Sequence, residues 1–173
     1  MIKASIEVVV RALNESGARY MIAGGLAVIA HGYVRFTGDF DLMLSLDDAN
    51  LQKAMQALKS EGFRPKVPVP IEQFADAEAR ESWVRDKGMV VFSLWSDKHP
   101  SLLIDIFVED QLGFDRAYKQ AFHNEIADEL VATYVSLADL LRLKEAAGRD
   151  KDLIDISYLR RIEERLRNES LEN

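Results

Sequence analysis

A pair of glycines followed by a pair of aspartates is the feature that most constrains this chain. Gly24-Gly25 follows an apolar, strand-like run and precedes a short apolar run with helical character. Because glycine has no side chain, the backbone can turn sharply there and approach a ligand closely, which suits a phosphate. Asp39-Phe40-Asp41 then leads into an apolar segment, and a strand there would place both carboxylates on one face. Two such oxygen ligands suit Mg²⁺, so this stretch is predicted to hold a nucleoside triphosphate and its metals.

The aspartate pair has a simpler interpretation that must be weighed. A D-x-D pattern is weak by itself, since the chain contains a second one at Asp150-Lys151-Asp152. Asp39 and Asp41 could be turn and cap residues at the start of a strand. The upstream glycines and the apolar run after Asp41 favour the metal interpretation, because a carboxylate that leads into buried structure needs a partner.

Asp105 lies inside a run that is otherwise wholly apolar, residues 102–108. An unpaired carboxylate there would cost several kcal/mol or shift its pKa, so something must compensate it. One interpretation is a buried salt bridge to an arginine. The other, which we favour, is that Asp105 converges with Asp39 and Asp41 on a cation that relieves their mutual repulsion.

Lys144 is the next informative residue. It lies on the apolar stripe of a predicted helix, so its charge is predicted to face inward, whereas Asp139 is predicted to point elsewhere. Lys144 either snorkels along the edge of the core or reaches a triphosphate, and we favour the second role. Asp152 and Asp155 fall near the inner face of the final helix, where they either serve the site or simply cap the helix or pair with Arg149 or Lys151.

Arg35 and Thr37 come just before the carboxylates. They either contact phosphate or support the loop that they lie on. Both remain candidates for nucleotide binding.

Apolar periodicity and turn residues predict an alternation of helices and strands. Helices are predicted over residues 2–15, 24–30, 47–60, 71–85, 113–122, 136–147 and 150–167. Strands are predicted over 19–23, 39–46, 89–95, 102–108 and 129–135, with 89–108 as a hairpin and 129–135 as an edge strand. The whole is an α/β (α+β) chain that we interpret as a single domain over 1–173, with 136–167 as a helical C-terminal layer.

Composition limits the classes of partner. The chain has 173 residues, 48% of them hydrophobic, which is enough for a proper core. A formal net charge of −7 argues against a protein that coats DNA or an anionic membrane. There are no cysteines and only three histidines, a poor set for zinc. No run approaches eighteen apolar residues, and the start of the sequence carries a charge inside its first apolar turn, unlike a signal peptide. A cytoplasmic location without membrane contact is therefore expected.

These motifs together resemble the minimal nucleotidyltransferases of the DNA polymerase β superfamily, especially the AbiEii-like toxins. The resemblance rests on Gly24-Gly25, on residues 35–42, on Asp105, and on a closing block from Leu143 to Ile156. That block has a lysine followed by a basic-Asp-x-x-Asp helix start. The match spans most of residues 19–160.

The resemblance implies a mixed nucleotidyltransferase-type sheet flanked by helices, with helices at the C-terminus. It implies two Mg²⁺ ions on Asp39, Asp41 and Asp105, with pyrophosphate leaving in line from the nucleotide. Gly24 and Gly25 would cradle phosphates through backbone N–H groups. Lys144 would neutralise charge on the leaving group, and Asp152 would orient Lys144 or an acceptor. Gly25 stands where other branches of the superfamily have a polar residue, so phosphate contact there would rest on the backbone alone.

Three functions remain open at this point. The first is an enzyme that transfers a nucleoside monophosphate to a hydroxyl of tRNA, a protein or a small molecule such as an aminoglycoside or lincosamide; a toxin with a cognate antitoxin is one form of it. A large RNA acceptor would need a local basic patch. The candidates for that patch are Arg142, Arg149, Lys151, Arg160 and Arg161. The second is a catalytically silent member that binds nucleotide or a partner, and the third is an interaction module.

Overall fold

The computed structural model describes residues 2–172, in which seven strands form one sheet with helices around it. The helices are α1 (Ile2–Ser16), α2 (Gly24–Ala30), α3 (Asp48–Ser60), α4 (Ala77–Lys87), α5 (Phe114–Lys119), α6 (Leu137–Ala147) and α7 (Asp150–Leu171), with a 3-10 helix at Ile71–Ala75. The strands are β1 (Tyr20–Ile22), β2 (Asp39–Leu44), β3 (Arg64–Pro65), β4 (Val91–Trp95), β5 (Leu103–Phe107), β6 (Phe122–Ala127) and β7 (Leu130–Tyr134).

The sheet is mixed, with strand order β3-β4-β5-β2-β1-β7-β6. β2 runs parallel to β5 and β1 runs parallel to β7, whereas the other neighbouring strands are antiparallel. The predicted fold class, a mixed sheet flanked by helices, is therefore confirmed. The order also places β2 and β5 side by side in the sheet, although about 60 residues separate them in the chain.

Local side chains fix where several helices begin. The Asp47 carboxylate accepts a hydrogen bond from the Asn50 N–H at the start of α3. Ser136 Oγ accepts one from the Asp139 N–H at the start of α6. The predicted helix over 71–85 is two elements instead, because Asp76 ends the 3-10 helix and caps α4 through its carboxylate.

Two predictions about strands are wrong. The strand predicted at 129–135 is not at the edge, because β7 lies between β1 and β6. β6 was not predicted, because its polar residues resemble the end of a surface helix. The helix predicted to reach residue 122 in fact ends at Lys119, as α5. The segment between α3 and the 3-10 helix also contains a two-residue strand, β3, that pairs with β4 at the opposite edge of the sheet.

The two faces of β2 and β5 have different surroundings. Phe40, Leu42, Ile104 and Ile106 are fully buried on one face. α3 contacts this part of the sheet and packs against α1, whose Leu13 is also fully buried. On the opposite face, Asp39, Asp41, Leu103, Asp105 and Phe107 are exposed or half-buried, whereas Met43 near the end of β2 is buried. The strands are therefore anchored from one side and free to present polar groups on the other.

The last two helices pack against each other, and α6 also contacts α2. Whether residues 1–173 make one domain, with 136–167 as a separate layer, stays a prediction, and its first and last residues lie outside the described ones. Within residues 2–172, none of the helices combines the length and the apolar character that a membrane crossing requires.

Candidate functional site

The acidic face, which we define as Asp39, Asp41 and Asp105, is assembled by the pairing of β2 with β5. Asp41 and Asp105 are register partners in this parallel pair, and Asp39 pairs with Leu103. Residues two apart on a strand share a face, so all three carboxylates lie on the same side of the sheet. The sequence motif and the hairpin residue are thus brought together as predicted.

Asp105 is less isolated than its apolar neighbours suggest. It is half-buried, as are Leu103 and Phe107 on the same face. Ser93 lies opposite it on β4, and the Ser93 hydroxyl donates a hydrogen bond to the Asp105 carboxylate. The alternative of a buried salt bridge to an arginine is not observed, because no basic side chain of residues 2–172 pairs with Asp105.

Asp41 carries the strongest electrostatic signal on the acidic face. Burial raises the pKa of its carboxyl, and the negative charges of Asp105 and Asp39 raise that pKa further. The positive charges of Lys144 and Lys151 lower it in part. Ionised Asp41 is therefore under-compensated in the chain by itself, and a cation at the acidic face would remove the penalty.

The donor set fits Mg²⁺ in its chemistry, since carboxylate oxygens are the hard ligands that this ion prefers. In residues 2–172, no three carboxylate or imidazole groups are arranged as a ready metal-binding cluster. Asp39 is exposed at the start of β2, whereas Asp41 and Asp105 are half-buried and directly paired across the two strands. Mg²⁺ is usually held by one or two carboxylates together with substrate phosphates and water, so a pair is sufficient.

The glycine pair lies directly against the site. A Cβ atom on Gly24 would lie 1.7 Å from Asp41 Oδ2, and one on Gly25 would lie 2.4 Å from Thr37 Oγ1. Gly24 also has φ +58, a conformation that disfavours other residues. The Ala23 N–H donates to the Asp41 carbonyl oxygen at 2.9 Å and fixes this approach. Glycines are therefore required here so that Asp41 and Thr37 can lie against the backbone.

A second set of charges, the charge cluster, lies beside the acidic face. Its members are Arg35, Lys144, Arg149, Asp152 and Asp155. Lys144 is 4% exposed, as its place in the apolar stripe predicts, and its Nζ lies 3.0 Å from Asp152 Oδ1 and 2.8 Å from Asp155 Oδ2. The ammonium group thus joins two carboxylates of α7 to α6. The partners of Asp155 are Lys144 and Arg35, and neither is one of the neighbouring basic residues considered from the sequence.

Asp152 is held by two cations. Its complete burial would raise its pKa, but hydrogen bonds from Arg149 and Lys144 outweigh that effect and lower the pKa to about 2. Arg149 donates from its backbone N–H at 3.2 Å and from its Nε at 2.7 Å, which also caps the start of α7. Asp152 therefore does contact Lys144, one of the two partners suggested by the resemblance.

Arg35 and Thr37 lie in the loop between α2 and β2, where Thr37 lies against Gly25. Arg35 Nη2 donates to Asp155 Oδ2 at 3.1 Å, and its Nε lies 2.9 Å from Oδ1 without hydrogen-bond geometry. Arg35 Nη1 donates to the Phe36 carbonyl oxygen. This loop is therefore tied to α7, and a contact of Arg35 or Thr37 with phosphate stays a prediction.

Sequence reasoning missed or misplaced two polar residues. Ser93 was not singled out, and only the strand register puts it beside Asp105. Asp139 was predicted to point away from the core, but it is 1% exposed. Arg116 of α5 reaches it with an Nη2 to Oδ1 distance of 2.8 Å, which compensates its burial. The pattern of apolar residues in α6 gave no sign that Arg116 would reach Asp139 from another helix.

Comparison with known proteins supports the fold. No protein-family model matches the sequence, and a search of curated proteins finds no match. Among solved structures, the chain is similar to the lincosamide antibiotic adenylyltransferase LnuA, in a crystal structure with lincomycin bound. The two share 15% sequence identity and a TM-score of 0.51, over 86% of this chain and 90% of that one. At this identity the similarity shows a nucleotidyltransferase-type fold, and the AbiEii-like toxins are not singled out by it.

Proposed function

We propose that the protein is a metal-dependent nucleotidyltransferase that moves a nucleoside monophosphate from a nucleoside triphosphate to a hydroxyl group. The observation that carries this proposal is the pairing of Asp41 with Asp105 across β2 and β5, with the pKa of Asp41 raised by burial and by its acidic neighbours. A cluster of carboxylates that the protein leaves without a basic partner is suited to bind cations.

In the proposed reaction, the acceptor oxygen forms a bond to the α-phosphorus and its proton passes to solvent, while the bond from that phosphorus to the bridging oxygen of pyrophosphate breaks. Asp41, Asp105 and Asp39 would hold Mg²⁺. Bound Mg²⁺ would neutralise phosphate charge and lower the pKa of the attacking hydroxyl. Gly24 and Gly25 would present backbone N–H groups to the phosphates. The Ser93 hydroxyl orients the Asp105 carboxylate on this face.

Lys144 would act through its charge. Its ammonium group is held by Asp152 and Asp155, yet its field already lowers the pKa of Asp41. In the proposal it offsets negative charge that develops on the leaving pyrophosphate, and Asp152 orients it. Because two carboxylates occupy Lys144, a catalytically silent nucleotide-binding member is the second candidate, and turnover separates the two.

The acceptor and the biological role go beyond these residues. LnuA is described as an adenylyltransferase of lincosamide antibiotics, so a small-molecule acceptor is part of the proposal here. The AbiEii-like assignment adds a second form of it, a cytoplasmic toxin that modifies tRNA or protein and is held by a cognate antitoxin.

The test is label transfer from each α-labelled nucleoside triphosphate, with lincomycin or a cell lysate as acceptor. With Mg²⁺, wild-type protein should release pyrophosphate and label an acceptor; with a chelator, it should do neither. Asp41→Asn should be inactive, whereas Asp86→Asn, at an exposed aspartate paired with Arg85 on α4, should match wild type. Binding without turnover would support the silent member, and activity in the chelator would contradict the proposal.

A further inference from the structure

A cavity of about 480 Å³ opens next to the acidic face. Residues that line it include Gly38, Lys66, Trp95, His99, Pro100 and Leu103. Gly38 directly precedes Asp39, and Leu103 is the register partner of Asp39. The cavity therefore adjoins the open end of the acidic face, where β2 and β5 begin.

The floor of the cavity is the same face of the sheet that carries the carboxylates. Leu103 and Asp105 are two residues apart on β5, and Trp95 and Ser93 are two apart on β4. Ser93 pairs with Asp105, so Trp95 falls beside Leu103 in the next row of side chains. An apolar row and a carboxylate row thus lie side by side on one half-buried surface.

The glycine pair and the cavity lie on opposite sides of the carboxylates. Gly24 lies against Asp41 on the side of β1, whereas the cavity lies on the side of β4 and β5. In an in-line transfer, the acceptor hydroxyl and the leaving pyrophosphate occupy opposite sides of the α-phosphorus. If the phosphates lie at the glycines, as in the proposed function on which this inference rests, the acceptor must enter from the cavity.

We propose that this cavity binds the acceptor, and that the acceptor is a small organic molecule with an apolar or aromatic face and a hydroxyl group directed at Asp105. Its volume is in the range of pockets for drug-sized ligands. Trp95, Pro100 and Leu103 offer apolar surface. The Arg64 guanidinium covers the Trp95 ring, 4.0 Å from its centroid, and holds the indole in place.

The charges of the cavity favour this class of acceptor over a nucleic acid. Proteins that bind single-stranded nucleic acid combine aromatic side chains that stack on the bases with a groove of basic side chains along the sugar-phosphate backbone. Among the described lining residues, Lys66 is the one lysine or arginine, and Asp97 adds a negative charge. Lys66 is exposed and can donate to one polar group of a small ligand. A chain with a net charge of −7 offers little further attraction to a polyanion.

The experiment fills the cavity from its rim. Ser101 is exposed and lines the cavity, so Ser101→Trp adds bulk there without entering the core. Ser170→Trp makes the same change at an exposed position of α7 and is the matched control. Each protein receives α-labelled nucleoside triphosphate with Mg²⁺ and one of three lysate fractions: metabolites below about 1 kDa, a size limit set by the cavity, purified tRNA, or protein.

We expect wild type to label the metabolite fraction. Ser101→Trp should reduce this labelling at least about 10-fold, which is the effect of losing one well-filled contact. Ser170→Trp should not reduce it. Metal-dependent triphosphate binding should be equal in all three proteins. Lys66→Ala removes the lysine that lines the cavity without adding bulk, and it should also reduce labelling of the metabolite fraction. The exposed Lys53→Ala is its control, and this pair replaces the first comparison if Ser101→Trp does not fold.

Three results would overturn the inference while the proposed function stands: label in tRNA or protein, equal labelling by wild type and both cavity variants, or no label in any fraction from a protein that binds triphosphate with Mg²⁺. Failure of wild type to bind triphosphate with Mg²⁺ would instead contradict the proposed function, and the inference with it.

Discussion

Two groups of aspartates lie next to each other in this protein, and their surroundings differ. In the charge cluster, Asp152 and Asp155 each contact two cationic side chains at 3.0 Å or less. On the acidic face, Asp41 and Asp105 face each other, and no basic side chain of residues 2–172 pairs with them. The pKa of Asp152 is lowered, whereas that of Asp41 is raised.

The difference separates charges that hold the fold together from charges that the fold tolerates. Paired carboxylates in the charge cluster join α6, α7 and the loop before β2. Under-compensated carboxylates on the acidic face reduce the stability of the protein without metal, and such an arrangement is typical of a functional site. Each prediction below tests one side of this contrast.

The largest effect is expected from breaking the charge cluster. Lys144→Met leaves two buried carboxylates without their shared cation, which should cost about 3–5 kcal/mol of unfolding free energy. Glu145→Gln, its neighbour in α6, breaks only the exposed pair with Arg160 and should cost less than about 1 kcal/mol. Urea unfolding measures both. Equal, small losses would mean that the charge cluster does not hold α6 to α7.

A change at Asp105 should lower activity without lowering stability. Asp105→Asn keeps the shape of the side chain but removes a metal ligand, and label transfer should fall at least about 100-fold. Ser93→Ala leaves the carboxylate and removes only the hydrogen bond that orients it, so a loss of about 10-fold is expected. Rates of label transfer measure this difference. Similar rates for wild type and Asp105→Asn would remove Asp105 from the site.

Two glycine substitutions can distinguish the effect of the contact between Gly24 and Asp41 from the effect of backbone strain. Gly24→Ala forces a Cβ into the Asp41 carboxylate and should cost about 2–3 kcal/mol, together with loss of triphosphate binding. Gly17 has a similar φ of +69 but no atom within 4 Å of the added Cβ, so Gly17→Ala should cost only about 1 kcal/mol and bind normally. Thermal melts and titrations compare the two. Equal behaviour would show that strain alone matters.

The smallest effect is the acid sensitivity of the charge cluster. Because the folded pKa of Asp152 is about 2 and its ordinary value is 3.8, its ionised form stabilises the protein above pH 3.8. About 2 kcal/mol of stability should be lost as pH falls from about 4 to about 2. Asp152→Asn should lack this part of the pH dependence, and urea unfolding between these pH values checks it. The same slope in both proteins would contradict the pairing.

Sequence alone was sufficient where the signal is local. The period of two in a strand places Asp39 and Asp41 on one face, and the helical stripe turns Lys144 inward. Both follow from neighbours a few residues away. The fold class follows from the same kind of pattern together with the family resemblance.

Partners that come from distant elements could not be predicted. Ser93 meets Asp105 only through the register of the β4–β5 hairpin, which its turn determines. The buried carboxylate of Asp139 is paired with Arg116, which comes from another helix. β6 has one exposed face and polar residues on it, so its pattern carried little hydrophobic signal. Each of these depends on packing between elements, which periodicity within one element does not report.

The central claim is that the acidic face needs a divalent cation to bind a nucleotide. Isothermal titration of each nucleoside triphosphate into wild type and Asp41→Asn, with Mg²⁺ or with a chelator, tests it directly, and thermal melts without metal accompany it. The pKa of Asp41 is raised in the folded protein, so the side chain destabilises the fold once pH rises above that pKa and the carboxylate is ionised. Without metal, Asp41→Asn should therefore melt at a higher temperature than wild type at neutral pH. We predict binding only by wild type and only with Mg²⁺. Equal binding without Mg²⁺, equal binding by Asp41→Asn, or no binding of any triphosphate would contradict the account.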